Sequence, residues 1–244
     1  MSTAFIYGRH AVLTLLNTAP ERVQVLFLSS GTEQEFRPLA QKLKIRTEEL
    51  SRKLALELQG EVHQGIVARV ATGGLMRDYA DFMNELEPTV STSLVLLNEI
   101  TDPHNVGAIV RCAAAFGAAG VLIPAHNQSP ITGVVAKASA GMIFSIPLIA
   151  INNENQTIID LKKRRYWVYG LAAEGKNELS KEKFDAPAVF VIGNEGEGLR
   201  AKTREHCDIL LRIPMHPRAE SLNASVSAGI VLSHWSVQHP EALR

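Results

Sequence analysis

Leu94-Val95-Leu96-Leu97-Asn98 runs directly into Glu99-Ile100-Thr101-Asp102-Pro103-His104-Asn105-Val106-Gly107-Ala108-Ile109-Val110-Arg111. The first five residues read as a strand buried on both faces, because the apolar run is continuous rather than alternating. The remainder opens a helix, with Asp102 or Asn105 available as N-cap and Pro103 fixing the turn. A buried strand that delivers a polar loop to a helix start is the repeating unit of an open α/β sheet. Ligands of such sheets sit at the strand C-termini.

The same unit recurs downstream. Strands are predicted at Leu94–Asn98, Val121–Pro124, Ile146–Ile151, Tyr166–Leu171, Ala188–Ile192 and Ile209–Ile213, alternating with helices near Val106–Phe116, Ile131–Ala138, Asn155–Arg164 and Ser225–Gln238. That pattern predicts an α/β fold with a mostly parallel sheet covered on both faces. The apolar stretch from Ile131 to Ile151 contains Lys137, Gly141 and Pro147 and reads as a buried helix followed by a buried strand, not as a membrane span.

Upstream the elements are shorter. A helix at His10–Asn17, a strand at Val23–Leu28, a helix at Glu33–Leu43, an extended piece at Ile45–Thr47, a helix at Glu48–Leu58 and a strand at Gly65–Val70 make a small α/β unit over residues 1–75. Residues 76–91 carry Asp78, Asp81, Glu85, Glu87 and Pro88 and read as an acidic linker with one helical turn at Tyr79–Leu86. The second unit spans 92–244, and a fragment starting near Ser91 is expected to fold by itself.

Composition narrows the functional classes. With 46% hydrophobic and 20% charged residues the chain buries a sizeable core, which excludes disorder and coiled coil. Lys plus Arg and Asp plus Glu both number 25, so attraction to a polyanion must come from local basic patches. Two cysteines, Cys112 and Cys207, and no CxxC pair give neither a disulfide framework nor a zinc knuckle, which points to a reducing cytoplasm. The stretch Met1-Ser2-Thr3-Ala4-Phe5 is not a secretory signal. The sequence has no HExxH, no G-x-S-x-G and no G-x-x-x-x-G-K-[ST], so no metal site, serine hydrolase or nucleotide triphosphatase is expected.

Two further clusters exceed what a plain core needs. Val191-Ile192-Gly193-Asn194-Glu195-Gly196-Glu197-Gly198-Leu199 places three glycines after an apolar strand, where backbone can approach a ligand. Its G-x-x-G-x-G spacing is not the dinucleotide fingerprint, and two carboxylates would repel a pyrophosphate, so a neutral or cationic ligand suits it. Ile213-Pro214-Met215, then Glu220-Ser221-Leu222-Asn223-Ala224-Ser225-Val226-Ser227-Ala228-Gly229, leads a strand through a polar loop into a final helix of small residues. Standing alone, each cluster also reads as a capped helix or a tight connection.

In this order the three clusters resemble the three motifs of the SpoU (TrmH-like) branch of the SPOUT RNA methyltransferases: DPHNVGAIVRCAAAFG at 102–117, VIGNEGEGL at 191–199, and IPM at 213–215 with SLNASVSAG at 221–229. Ile6-Tyr7-Gly8-Arg9-His10-Ala11-Val12 and His63-Gln64-Gly65-Ile66 resemble the L30e-like substrate-binding domain of the RlmB-type enzymes, which act on a guanosine of bacterial 23S ribosomal RNA. The resemblance implies a SPOUT α/β-knot catalytic domain with a C-terminal trefoil knot, working as a homodimer. It implies methyl transfer from S-adenosyl-L-methionine to a ribose 2′-hydroxyl of RNA, without metal.

By position Arg111 matches the catalytic arginine. Asn105, Glu195, Ser221 and Asn223 match the other polar motif positions, and Gly193, Ile213 and Leu222 those that receive the cofactor. Arg9 is the candidate RNA contact of the front unit. His216-Pro217-Arg218-Ala219-Glu220 departs from the smaller, glycine-containing stretch of relatives, which bears on substrate preference. A transfer-RNA ribose methyltransferase of the same branch and a non-catalytic RNA-binding protein are the alternatives.

Overall fold

The computed structural model describes residues 3–58, 62–194 and 196–244. The first part contains β1 (Thr3–Tyr7), α1 (Arg9–Thr18), β2 (Val23–Leu28), α2 (Glu33–Lys42), β3 (Thr47–Glu49), α3 (Arg52–Glu57) and β4 (Ile66–Ala71). Its four strands lie in the order β1-β4-β2-β3, with β4 antiparallel to both neighbours and β2 parallel to β3. The period of two along each strand sorts the side chains. Leu26, Leu28, Ile66, Ala68 and Val70 face the main core, whereas Val25, Phe27 and Val67 face a smaller cluster closed by Leu54 of α3.

The extended piece expected at Ile45–Thr47 lies two residues later, and the helix expected from Glu48 begins only at Arg52. Glu48 and Glu49 are drawn into register with Phe27 and Leu28, and Ser51 then caps α3 by accepting from the Leu54 N–H at 3.2 Å.

The second part contains β5 (Met76–Asp78), α4 (Tyr79–Glu85), β6 (Ser93–Asn98), α5 (Pro103–Ala115), β7 (Gly120–Pro124), α6 (Gly133–Ala138), β8 (Leu148–Ile151), α7 (Glu154–Lys163), β9 (Trp167–Leu171), β10 (Asn177–Glu178), β11 (Ala188–Gly193), α8 (Ala201–His206), β12 (Ile209–Arg212) and α9 (Ala224–Gln238). The strands form one sheet in the order β10-β12-β9-β11-β6-β7-β8-β5, every neighbouring pair parallel. Both faces are covered, as the continuous apolar runs predict. Val95, Leu97, Phe190 and Ile192 meet α5 and α9 residues on one side, and Leu94, Leu96, Val189 and Val191 join Phe82, Ile158 and Leu161 on the other. No helix among the described residues is long and apolar enough to cross a membrane.

The acidic stretch is not a tether in the sense expected of it. Met76, Arg77 and Asp78 pair with Leu148, Ile149 and Ala150 as the edge strand of the large sheet. Asp78 then caps α4, accepting from Ala80 N–H at 2.8 Å, and α4 buries Phe82 and Met83. The two parts also share core: Ile6, Ala11 and Leu15 belong to the same apolar cluster as Val135, Ala136 and Ile143. Their approach depends on glycine, since a Cβ on Gly133 would lie 2.1 Å from the Phe5 carbonyl oxygen. A fragment starting near Ser91 therefore loses an edge strand and a helix, and uncovers a buried face.

Gly133→Val is expected to destabilise the chain by roughly 1–3 kcal/mol through overpacking. Gly73→Ala, whose new methyl meets nothing within 4 Å, should change little. Urea unfolding of both variants checks this; equal midpoints would mean that the interface adjusts.

Candidate active site

β6 and β11 are neighbours in register, so Asn98 and Gly193 end side by side. Asn98 is fully buried, and both ends of its amide are used. The Nδ2 group donates to Glu154, and Oδ1 accepts from the Arg200 backbone N–H at 3.1 Å. Burial pushes the Glu154 carboxyl above the ordinary carboxylate range, with the Asn98 bond opposing that shift. Glu99 follows with φ of 60°, a left-handed conformation rare for a side chain of this size. Its carbonyl accepts from Asn194 Nδ2 at 2.8 Å, and its carboxylate pairs with Arg200.

The glycine-rich loop is thus fastened at both ends. Between them it folds back on itself: Asn194 N–H donates to Gly198 O at 3.0 Å, and Gly198 N–H returns to Asn194 O at 2.9 Å. A Cβ on Gly193 would sit 2.5 Å from the Gly198 carbonyl carbon and 2.7 Å from the Leu199 nitrogen. Gly193 is therefore required by the closure of the loop itself, before any ligand is considered. Glu195 lies outside the described residues.

Of the two N-cap candidates for α5 the structure selects Asp102, which accepts from His104 N–H at 2.9 Å, with Pro103 at the first helical position. Asn105 is instead buried in the first turn, where its Oδ1 accepts from Asn223 Nδ2 at 3.0 Å. Asn223 also caps α9 through Oδ1, accepting from Ser225 N–H at 2.8 Å. The first and third clusters are joined through this one residue.

A pocket lies where the glycine loop, the segment after β12 and the loop after β9 meet. Gly193, Ile213, Ser221 and Leu222 line it, over an apolar floor of Leu171, Ile192, Leu199 and Leu211. Three proposed cofactor positions and one polar motif position therefore converge, although Gly193 and Leu222 are 29 positions apart in the chain. Asn105 and Asn223 sit together but not in the pocket lining, and neither does Arg111. Arg111 is exposed on α5, with no side-chain hydrogen bond or ion pair among the described residues. Arg9 is half-exposed, paired with Glu35 and placed 5.8 Å over the Phe36 ring.

Sequence reasoning assigned no role to Glu174 and Arg204, which also line the pocket, or to the Asn98–Glu154 pair. Asn98 carried a signal, a polar residue closing an otherwise apolar strand. Glu174 and Arg204 carried none.

The chemistry open to this site is limited by its groups. Burial raises the Cys112 thiol and pushes Cys207 up to about 12, so neither is a ready thiolate nucleophile. Among the described residues no three His, Cys, Asp or Glu side chains gather as metal ligands.

The pattern of the SpoU rRNA Methylase family matches residues 92–233, and that of RNA 2′-O ribose methyltransferase substrate binding matches 5–73. The chain belongs to the SpoU methylase family. Relatives of this SpoU member include the 23S rRNA (guanosine-2′-O-)-methyltransferase RlmB of Pseudomonas putida, 38% identical over 234 residues, covering 93% of each chain. The protein of that name from Escherichia coli is 38% identical over 236 residues, covering 93% of this chain and 95% of its own. The fold is that of the SpoU methyltransferase AviRb from Streptomyces viridochromogenes, solved in complex with AdoMet, with a TM-score of 0.82 and 24% identity over 97% of this chain and 90% of that one.

The buried Asn98 amide serves two partners, so Asn98→Leu should lower the unfolding free energy by roughly 2–3 kcal/mol. It should also speed amide exchange across 194–200. Unchanged exchange in that loop would show that the tie is not what holds it.

Proposed function

We infer that this SpoU family member transfers a methyl group from S-adenosylmethionine to the 2′-hydroxyl of a guanosine in 23S ribosomal RNA. The observation that carries this reading is the convergence of Gly193, Leu199, Ile213, Ser221 and Leu222 on one apolar-floored pocket at the carboxyl ends of β9, β11 and β12. Relatives named for that reaction, at 38% identity over almost the whole chain, supply the substrate.

The pocket suits the cofactor on its own chemistry. Its floor offers Leu171, Ile192, Leu199 and Leu211 to an adenine ring, and Gly193, Gly196 and Gly198 bring backbone without a side chain to the pocket wall. When bound, S-adenosylmethionine supplies an electrophilic methyl on a sulfonium that needs no metal to activate it.

The chain's own task is the nucleophile. A ribose hydroxyl reacts poorly until its proton is lost or its developing oxyanion is stabilised. A guanidinium stays protonated in proteins, so Arg111 serves here as a clamp on the neighbouring phosphate and on the alkoxide, not as a base. Asn105, Ser221 and Asn223 orient the ribose and the loops that carry them, and Glu195 shares that role.

The exposure of Arg111 away from the pocket of its own chain supports a homodimer in which each protomer completes the other's site. Val226, Ile230 and Val237 lie on one face of α9 beside Phe116 and remain exposed, a face suited to pairing with its own copy. The trefoil knot, the L30e-like character of the front part and the cytoplasmic setting belong to the same reading. Arg9 belongs to it as the front-part RNA contact, reached when RNA phosphate displaces Glu35.

Arg111→Lys is expected to be nearly as inactive as Arg111→Ala, with cofactor affinity intact in both, because lysine cannot reproduce a planar two-point contact. Near-normal turnover of the lysine variant would contradict the clamp. Mapping of 2′-O-methyl sites in total RNA with and without the gene should show one 23S guanosine dependent on it. Loss confined to transfer RNA, or no loss, would replace this reading with one of its alternatives. Light scattering should give a dimer at assay concentration, and an active monomer would refute the shared site.

A further inference from the structure

Arg204 is the one cation among the described residues that line the pocket, and it faces a single partner there. Its Nη1 pairs with the Glu174 carboxylate, while its Nε is buried without an acceptor among the described residues. Arg204 is carried by α8, directly after the glycine loop, and Glu174 by the loop after β9, so the pair bridges two walls of the pocket. Both side chains are partly exposed, 37% and 56%, which puts them at the rim while Ile192 and Leu211 form the floor.

We propose that Arg204 and Glu174 form the seat for the amino-acid end of the cofactor, the guanidinium taking the α-carboxylate and Glu174 the α-ammonium. This rests on the cofactor reading above. The ligand carries one anionic group, its carboxylate, and the lining offers one cation to meet it. A buried guanidinium Nε lacking an acceptor is a cost that a carboxylate removes, since its two oxygens can take Nε and an Nη together.

The exchange is charge-balanced. A resident ion pair opens onto a zwitterion, and each side chain leaves one opposite charge for another, so no unpaired charge is left behind. The size of the cavity agrees with a tail at the same rim. The cavity holds about 230 Å³, below the roughly 300–1,000 Å³ usual for sites that enclose a whole ligand of this kind. The nucleoside then fills the enclosed part, and the amino-acid end emerges where Arg204 and Glu174 stand.

The test compares two ligands by calorimetry: S-adenosylmethionine, and 5′-methylthioadenosine, which keeps the nucleoside and lacks the amino acid. Arg204→Ala should weaken S-adenosylmethionine about tenfold, the range of a charged hydrogen bond moderated by solvent, and leave 5′-methylthioadenosine within about twofold. Arg204→Lys, which keeps the charge, should fall between. Glu174→Gln, which keeps size and shape, gives a second reading: weaker S-adenosylmethionine with 5′-methylthioadenosine unchanged.

Equal losses for both ligands, or no loss for either, in variants that melt like the parent would overturn the seat. A parent chain that binds 5′-methylthioadenosine as tightly as S-adenosylmethionine would overturn the seat while leaving the nucleoside pocket standing. A parent chain that binds neither overturns the cofactor reading beneath it.

Discussion

Two parallel strands that end together set the terms for this site. β6 and β11 are paired residue for residue, and at their common end the backbone needs partners that a sheet cannot give. Asn98 and Asn194 supply them, one taking Arg200 N–H and the other Glu99 O. The loop between Gly193 and Arg200 is thereby pinned over a short span, and it closes only because position 193 has no side chain. Leu199 is pressed into the pocket floor and α8 starts at a fixed place, which sets Arg204 opposite Glu174. The strained backbone at Glu99 is held by the same network that it serves.

The remaining polar position of consequence is Asn223. One side chain caps α9 and reaches across to Asn105 in α5, so the helix starts of the first and third clusters are tied together. The front part packs directly against the second part. Its sheet packs on α6 through Gly133, and its apolar side chains run into the core beneath the large sheet. Under the proposed function, RNA held by the front part would meet the pocket at a defined distance rather than on a flexible lead.

Much of this was legible in the residues. Continuous apolar strands gave the parallel sheet, β2 falls where its pattern put it, and Asp102-Pro103 marks the start of α5. β1 and β5 were not legible. Thr3–Tyr7 precedes any periodic signal, and Met76–Asp78 is a three-residue edge strand whose charged character reads as loop. Its pairing is dictated by β8, about seventy residues downstream, and no local pattern announces it.

The site divides in the same way. Gly193, Ile213 and Leu222 belong to motifs that local sequence displays, and they meet in one pocket. Glu174 and Arg204 look like ordinary surface charges until the fold brings them face to face across 30 positions. Arg111 is conspicuous in sequence yet has no side-chain hydrogen bond or ion pair among the described residues, and on the proposed reading its partners are an RNA phosphate and a second protomer.

The claim on which the account depends is that this pocket holds the cofactor. A crystal structure of the protein grown with S-adenosylhomocysteine tests it most directly. The adenine is expected over Leu199 and Leu211, between the Gly193–Leu199 loop and the Ile213–Leu222 segment. Ligand density instead in the separate cleft beyond β6 and β8, lined by Glu99, His126, Asn153 and Lys202, would contradict it.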